Sequence, residues 1–179
     1  MHEGVELPEG HEGHGGDPQV LPVSITISIM AVLVAAVTLL GHRAHTEELL
    51  RQNQASDRWA QYQAKSVRLH ETQGFSDLVG IVASMDKQRG EALREKYIKE
   101  VEHYQSDKED ISKEARDLET ERDLAGRKAD RFDGGEAFIE IGLVICSITL
   151  LTKRKTFWFG GMLIGAAGIC IALTGFFLR

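Results

Sequence analysis

Ionised side chains are missing from two long stretches of this sequence. Residues 20–40 (VLPVSITISIMAVLVAAVTLL) and 156–178 (TFWFGGMLIGAAGICIALTGFFL) contain none, and residues 137–152 (AFIEIGLVICSITLLT) contain one, Glu140. About 20 apolar residues cross the hydrocarbon core of a bilayer as a helix. The pattern therefore predicts three transmembrane helices. Cysteine is nearly absent, with only Cys146 and Cys170. In a hairpin turning at residues 153–155 these would differ in depth by roughly 12 Å, too far for a disulfide. They are expected to be small packing residues.

A basic excess is absent too. Lys and Arg number 21 against 27 Asp and Glu, giving a net charge of -6. Most of that deficit lies in residues 1–19, which hold Glu3, Glu6, Glu9, Glu12 and Asp17 and no Lys or Arg. This balance excludes the strongly basic face that nucleic acid requires. No nucleophile–base pair, phosphate-binding glycine loop or Cys/His metal framework occurs. Neither enzymatic activity nor a cofactor is expected. The mean hydropathy of -0.19 averages two populations, because nearly all charged residues lie outside the apolar stretches.

What is present divides the chain. Residues 1–19 (MHEGVELPEGHEGHGGDPQ) are rich in Gly, Glu and His and cannot bury enough apolar area to order themselves. His2, His11 and His14 could hold a divalent metal only weakly without a preset geometry. A signal peptide is not expected, because the region before residue 20 is long and acidic and the apolar run is too long. The first transmembrane helix is placed at 20–41, a charged helical insert at 42–135, the second span at 136–152, a basic turn at 153–155 and the third span at 156–178.

The insert begins with a stretch, 41–73, that has no proline and only Gly41 as glycine. Ala, Gln, Glu, Leu and Arg dominate it and favour helix. The first span should thus run on as helix until Gly74. Trp59, Tyr62, Ser66 and Leu69 make a modest stripe. Residues 75–85 are expected as a short amphipathic helix, with Phe75, Leu78, Val79, Val82 and Met85 on one face, and residues 86–90 as a turn. The clearest periodicity follows. Tyr97, Val101, Tyr104, Lys108, Ile111, Ala115, Leu118, Arg122, Ala125, Ala129 and Phe132 alternate at spacings of four and three. Such a heptad seam, interrupted by Lys108 and Arg122, wants a helical partner. The obvious partner is the preceding long helix running antiparallel; the alternative is a second copy of the chain. Asp133-Gly134-Gly135 is expected to bend the chain before the second span.

The last span has its own pattern. Gly161, Gly165, Gly168, Ala172 and Gly175 place small residues down one face. In lipid, small residues let helix backbones approach closely. Gly142 and Cys146 give the second span a shorter small face.

Two blocks resemble a known family. One is Trp59-Ala60-Gln61-Tyr62-Gln63-Ala64-Lys65-Ser66; the other is Leu150-Leu151-Thr152-Lys153-Arg154-Lys155 before an aromatic, Gly-rich helix. With the charged helical middle, they are similar to a bacterial membrane-protein family called domain of unknown function 4337, over roughly residues 20–178. The resemblance implies a bacterial membrane location and transfers no activity, ligand or catalytic residue.

Few side chains are candidates for function. Glu140 is the one ionisable residue within an apolar stretch, and intramembrane carboxylates are functional candidates by default; the plainer reading is that it reaches the interface beside Glu136. Trp59, Tyr62 and Lys65 form the densest polar-aromatic cluster, either a partner contact or part of the seam between the long helices. His42, His45 and Glu48 share a helix face but lack a fourth metal ligand. The expected fold is all-α: three transmembrane helices and a long antiparallel, coiled-coil-like helical hairpin outside the bilayer. The expected role is a non-enzymatic bacterial inner-membrane scaffold whose hairpin self-associates or binds a protein partner. The alternative is a small transport or ion-handling subunit using Glu140 and the His-rich tail. By the positive-inside rule the Lys153-Arg154-Lys155 turn favours that loop as the cytoplasmic one, while Arg43, Arg51, Arg127, Lys128 and Arg131, with no Lys or Arg in the tail, lean toward a cytoplasmic insert.

Overall fold

The computed structural model describes residues 20–82 and 87–178. They are all-α: helix α1 spans Val20–Val82, α2 spans Lys87–Thr152, α3 spans Lys155–Thr174, and a 3-10 turn closes the chain at Gly175–Phe177. No strand occurs among the described residues. The acidic tail and its histidines lie outside them, as do residues 83–85 and residue 86, the first of the expected 86–90 turn.

Three helices are long and apolar enough to cross a membrane, by length and composition. Hydroxyl residues do not interrupt the apolar runs. Thr26, Ser28 and Thr38 donate to the carbonyls of Pro22, Ser24 and Val34 at 2.9 Å each. Ser147 and Thr152 do the same to Leu143 and Ile148. Each back-bond to position i−4 satisfies a hydroxyl that the apolar surroundings would leave unpaired.

Two expected breaks are absent, and most of a third falls inside a helix. Gly74 does not end α1, and Phe75 continues the same helix to Val82 rather than starting a new one. One glycine costs a helix only about 1 kcal/mol, and Thr72, Ser76 and Val79 on either side of it still turn inward. Residues 87–90 are the first turn of α2 rather than a turn between elements. Asp133-Gly134-Gly135 does not bend the chain, because α2 runs through it. Gly135 is buried instead, and its missing side chain serves packing. The basic turn consists of Lys153 and Arg154; Lys155 already belongs to α3. Lys153 adopts a left-handed φ of 57° and its N–H donates to the Thr149 carbonyl at 2.8 Å. This is the single-bond left-handed helix stop.

The chain divides into two compact units, one formed by the segments up to Leu39 and Arg131–Phe176, the other chiefly by Leu40–Asp130. In the first unit, α2 and α3 meet backbone to backbone. A Cβ built on Gly168 would lie 2.6 Å from the Gly135 carbonyl oxygen, and one on Gly161 would lie 2.6 Å from that of Gly142. The two contacts are seven residues apart on each helix. Gly165 faces α1, where a Cβ would meet Met30 Cε at 2.5 Å. Phe132 and Phe176 close one end of this unit edge to face, with centroids 5.4 Å apart. At the other end Trp158 Nε1 donates to Thr26 Oγ1 at 3.2 Å.

In the second unit, α1 and α2 meet along two complementary seams. Every position of the α2 series from Tyr97 to Phe132 that falls in this unit is buried or half-buried. On α1 the matching series is Ala44, Glu48, Arg51, Ala55, Arg58, Tyr62, Lys65, Leu69, Thr72, Ser76 and Val79, likewise at spacings of four and three. Ala44, Ala55, Ala115, Ala125 and Ala129 are among its most buried residues. Small residues here bring the helices close enough for long charged side chains to reach across.

Candidate interaction surface

Polar contacts between the two seams are regular. Arg51 Nε lies 3.1 Å from Glu121 Oε2, Arg58 Nε lies 3.1 Å from Glu114 Oε2, and Lys65 Nζ pairs with Asp107 Oδ2. Successive pairs are seven residues apart on both helices, rising along α1 and falling along α2. Phe75, beside the α1 series rather than in it, stacks on Tyr97 at 6.3 Å further along the two helices. The cations all stand on α1 and the carboxylates on α2. The cations are half-buried and their partners half-buried or exposed, a setting in which ion pairs add little to stability. Their regular order specifies register more than it adds stability.

The polar-aromatic cluster sits in the middle of this ladder. Trp59 Nε1 donates to Glu119 Oε1 at 2.9 Å, and its ring meets Tyr62 edge to face at 5.5 Å. Two lysines cross in opposite directions. Lys65 of α1 lies 5.2 Å from the Tyr104 ring centre, and Lys108 of α2 lies 4.9 Å from that of Tyr62. An ammonium over an aromatic face gains about 0.5–1 kcal/mol at exposed sites. Lys108 also donates to Ser66 Oγ at 3.2 Å. This accounts for a lysine at a seam position. The other charged interruption, Arg122, pairs with Asp123 on its own helix at 2.7 Å. Hydrogen bonding from Lys65 holds the Asp107 carboxyl below its ordinary range, with burial opposing and His103 assisting. Beside the cluster runs an open groove of about 490 Å³ lined by Tyr62, Leu69, Lys108, Lys113 and Arg116, among others.

Trp59, Tyr62 and Lys65 are thus brought together with Tyr104, Asp107, Lys108 and Glu119. The acidic partners and Lys108's role were not visible in the sequence, where the α2 carboxylates resemble any solvated charge. Glu140 belongs to the other unit. Its side chain is exposed on the outer face of α2, beside exposed Ile141 and Val144. Glu136 is the carboxylate that meets a neighbour there, accepting from Thr38 Oγ1 at 2.6 Å. Gly161, Gly165, Gly168, Ala172 and Gly175 are all buried. Cys146 is buried and Cys170 exposed, and both are free thiols. His45 Nδ1 lies 3.4 Å from Glu48 Oε2 and His42 is exposed; no group of three metal-ligating residues occurs among the described residues.

No curated protein and no solved structure matches the chain. The family described as domain of unknown function, DUF4337, matches residues 21–178, so the chain belongs to that family.

Proposed function

We propose that this protein is a non-enzymatic membrane scaffold or interaction protein of the bacterial inner membrane. In this reading the three apolar helical segments span the bilayer, and residues 42–135 form an antiparallel, coiled-coil-like hairpin outside it. The hairpin presents its outer faces, with the groove beside Tyr62 and Lys108, to a second copy or to a protein partner. The observation that supports it best is the heptad-spaced ladder of Arg51–Glu121, Arg58–Glu114 and Lys65–Asp107. It ties the helices through polar contacts that suit water and would be costly in lipid.

The test uses the full chain in membranes. Arg58→Cys with Glu114→Cys, treated with a short bis-maleimide, should link within one chain, and affinity purification should recover the tagged protein with an untagged copy or a defined partner. Links forming solely between chains would make the seam itself an oligomer interface. Release of the chain by alkaline carbonate would overturn the membrane placement.

A further inference from the structure

Glu140 is a carboxyl with no polar neighbour. Its side chain is exposed, and it makes no hydrogen bond or ion pair among the described residues. Glu136, one turn earlier, is half-buried and turned to Thr38 of α1. The three apolar stretches carry no Lys or Arg that could pair with Glu140.

Contacts on both sides of Glu140 bracket its height in the first unit. On α2 it lies between Glu136, held against Thr38, and Cys146, whose Sγ is 3.9 Å from Met30 Sδ. It therefore stands opposite α1 residues between 30 and 38, within the charge-free run 20–40. It also lies between Gly135, which meets Gly168 of α3, and Gly142, which meets Gly161. Those α3 positions belong to the charge-free run 156–178. Both neighbouring helices are thus apolar at this height. In a bilayer, an ionisable side chain at such a place is costly unless it pairs or faces a water-filled cavity.

The face that carries Glu140 has a pattern of its own. Ala137, Glu140, Val144, Ser147 and Leu151 follow one another at spacings of three and four. All are exposed except Ser147, which is half-buried. The residues of α2 that turn inward are a different set, Gly135, Ile139, Gly142, Cys146 and Thr149. Small residues with a polar one among them are the composition of helix interfaces in lipid. This outward stripe is built like a packing seam, yet no helix of the same chain covers it.

Symmetry selects the occupant. Two copies inserted the same way round meet about a two-fold axis along the membrane normal, and such an interface is self-complementary. A helix beside that axis meets its counterpart in parallel, so each residue faces itself at equal depth. A carboxyl suits this arrangement. Two carboxyls holding a proton between them serve each other as donor and acceptor. We propose that two copies of this chain pair through the outer face of α2, with their Glu140 carboxyls hydrogen-bonded across the two-fold axis. The inference rests on the bilayer placement above and names the second copy as the partner within the bilayer.

The experiment uses the full-length chain in membranes, with Cys170→Ser to remove the exposed native thiol. Val144→Cys and Ala137→Cys should each form a disulfide-linked dimer on mild oxidation. Val32→Cys on α1 and Leu163→Cys on α3, both exposed away from the stripe, should not. Förster transfer between differently labelled copies in phospholipid vesicles then reads the carboxyl. Glu140→Leu should raise the dimer dissociation constant by about five- to thirtyfold. Glu140→Gln, whose amide both donates and accepts, should stay close to the parent. Glu140 packs against nothing in its own chain, so neither variant disturbs the fold, and helical circular dichroism checks this. Equal crosslinking at the control positions, stripe cysteines that link to a different protein, or a dimer indifferent to Glu140→Leu would each overturn the proposal. So would a loss in Glu140→Gln as large as in Glu140→Leu. Alkaline carbonate extraction separates the readings: a chain that stays in the membrane as a monomer defeats this inference alone.

Discussion

Replacing Gly168 by alanine adds one methyl group where two backbones touch. The new Cβ would stand 2.6 Å from the Gly135 carbonyl oxygen, 2.8 Å from Ile139 Cγ1 and 2.9 Å from Ile139 N. Two of those neighbours are backbone atoms and cannot rotate aside. α2 must therefore retreat from α3 by most of an ångström. A gap of 0.5–1 Å forfeits about a quarter to a half of the dispersion well for each atom pair it opens. Overpacking of this kind costs about 1–3 kcal/mol. Gly165→Ala should cost less, since its near neighbour is the mobile end of Met30, with Sδ next at 3.7 Å. Gly160→Ala meets nothing within 4 Å and should match the parent or exceed it by up to about 1 kcal/mol. Equilibrium unfolding in mixed micelles, followed by helical circular dichroism, ranks the three variants. If Gly168→Ala and Gly160→Ala unfold together, the glycines are not held in backbone contact and the reasoning fails.

Other outcomes follow from the second unit. Arg58→Glu and Glu114→Arg should each destabilise slightly, and the double variant should recover, with a coupling of about 0.2–1 kcal/mol that fades in 1 M salt, where the screening length is about 3 Å; equal losses in the double and single variants would dissolve the pair. Asp107 is depressed below its ordinary 3.8 by the Lys65 hydrogen bond. A depressed carboxyl stabilises the fold above its unfolded value and loses that effect as pH falls through the folded value. Asp107→Asn should therefore be less stable than the parent at neutral pH and match it once pH falls below the carboxyl's folded-state value; a difference that persists in acid would show that Lys65 is not the cause. Gly74→Ala, with no atom within 4 Å of the new methyl, should raise thermal stability by about 0.5–1 kcal/mol; a loss would mean α1 needs a flexible joint there.

Some of this protein is legible from its residues alone. Long runs without charge, and no proline after Pro22, permit three apolar helical segments and two very long helices. The α2 seam can be read because most of its positions are apolar or small. The small residues on α3 can be read because their spacing repeats. Those features are local, and each depends on the chain's own periodicity.

The rest depended on neighbours. The α1 seam carries Glu48, Arg51, Arg58, Lys65, Thr72 and Ser76, so no hydrophobic pattern marks it. Its inward face exists only because α2 supplies carboxylates and Tyr104 at the matching heights. Phe75 and Leu78 look like a buried face by periodicity yet stand more than half exposed. Gly74 and Gly135 are alike as helix breakers. One faces open space and the other lies against the Gly168 carbonyl. Glu136 and Glu140 are four residues apart in the same helix, and only the position of Thr38 separates a hydrogen-bonded carboxylate from an outward one. Periodicity states which residues share a face. What that face meets is set by the partner helix, because charge pairing, ring contact and backbone approach are properties of two surfaces.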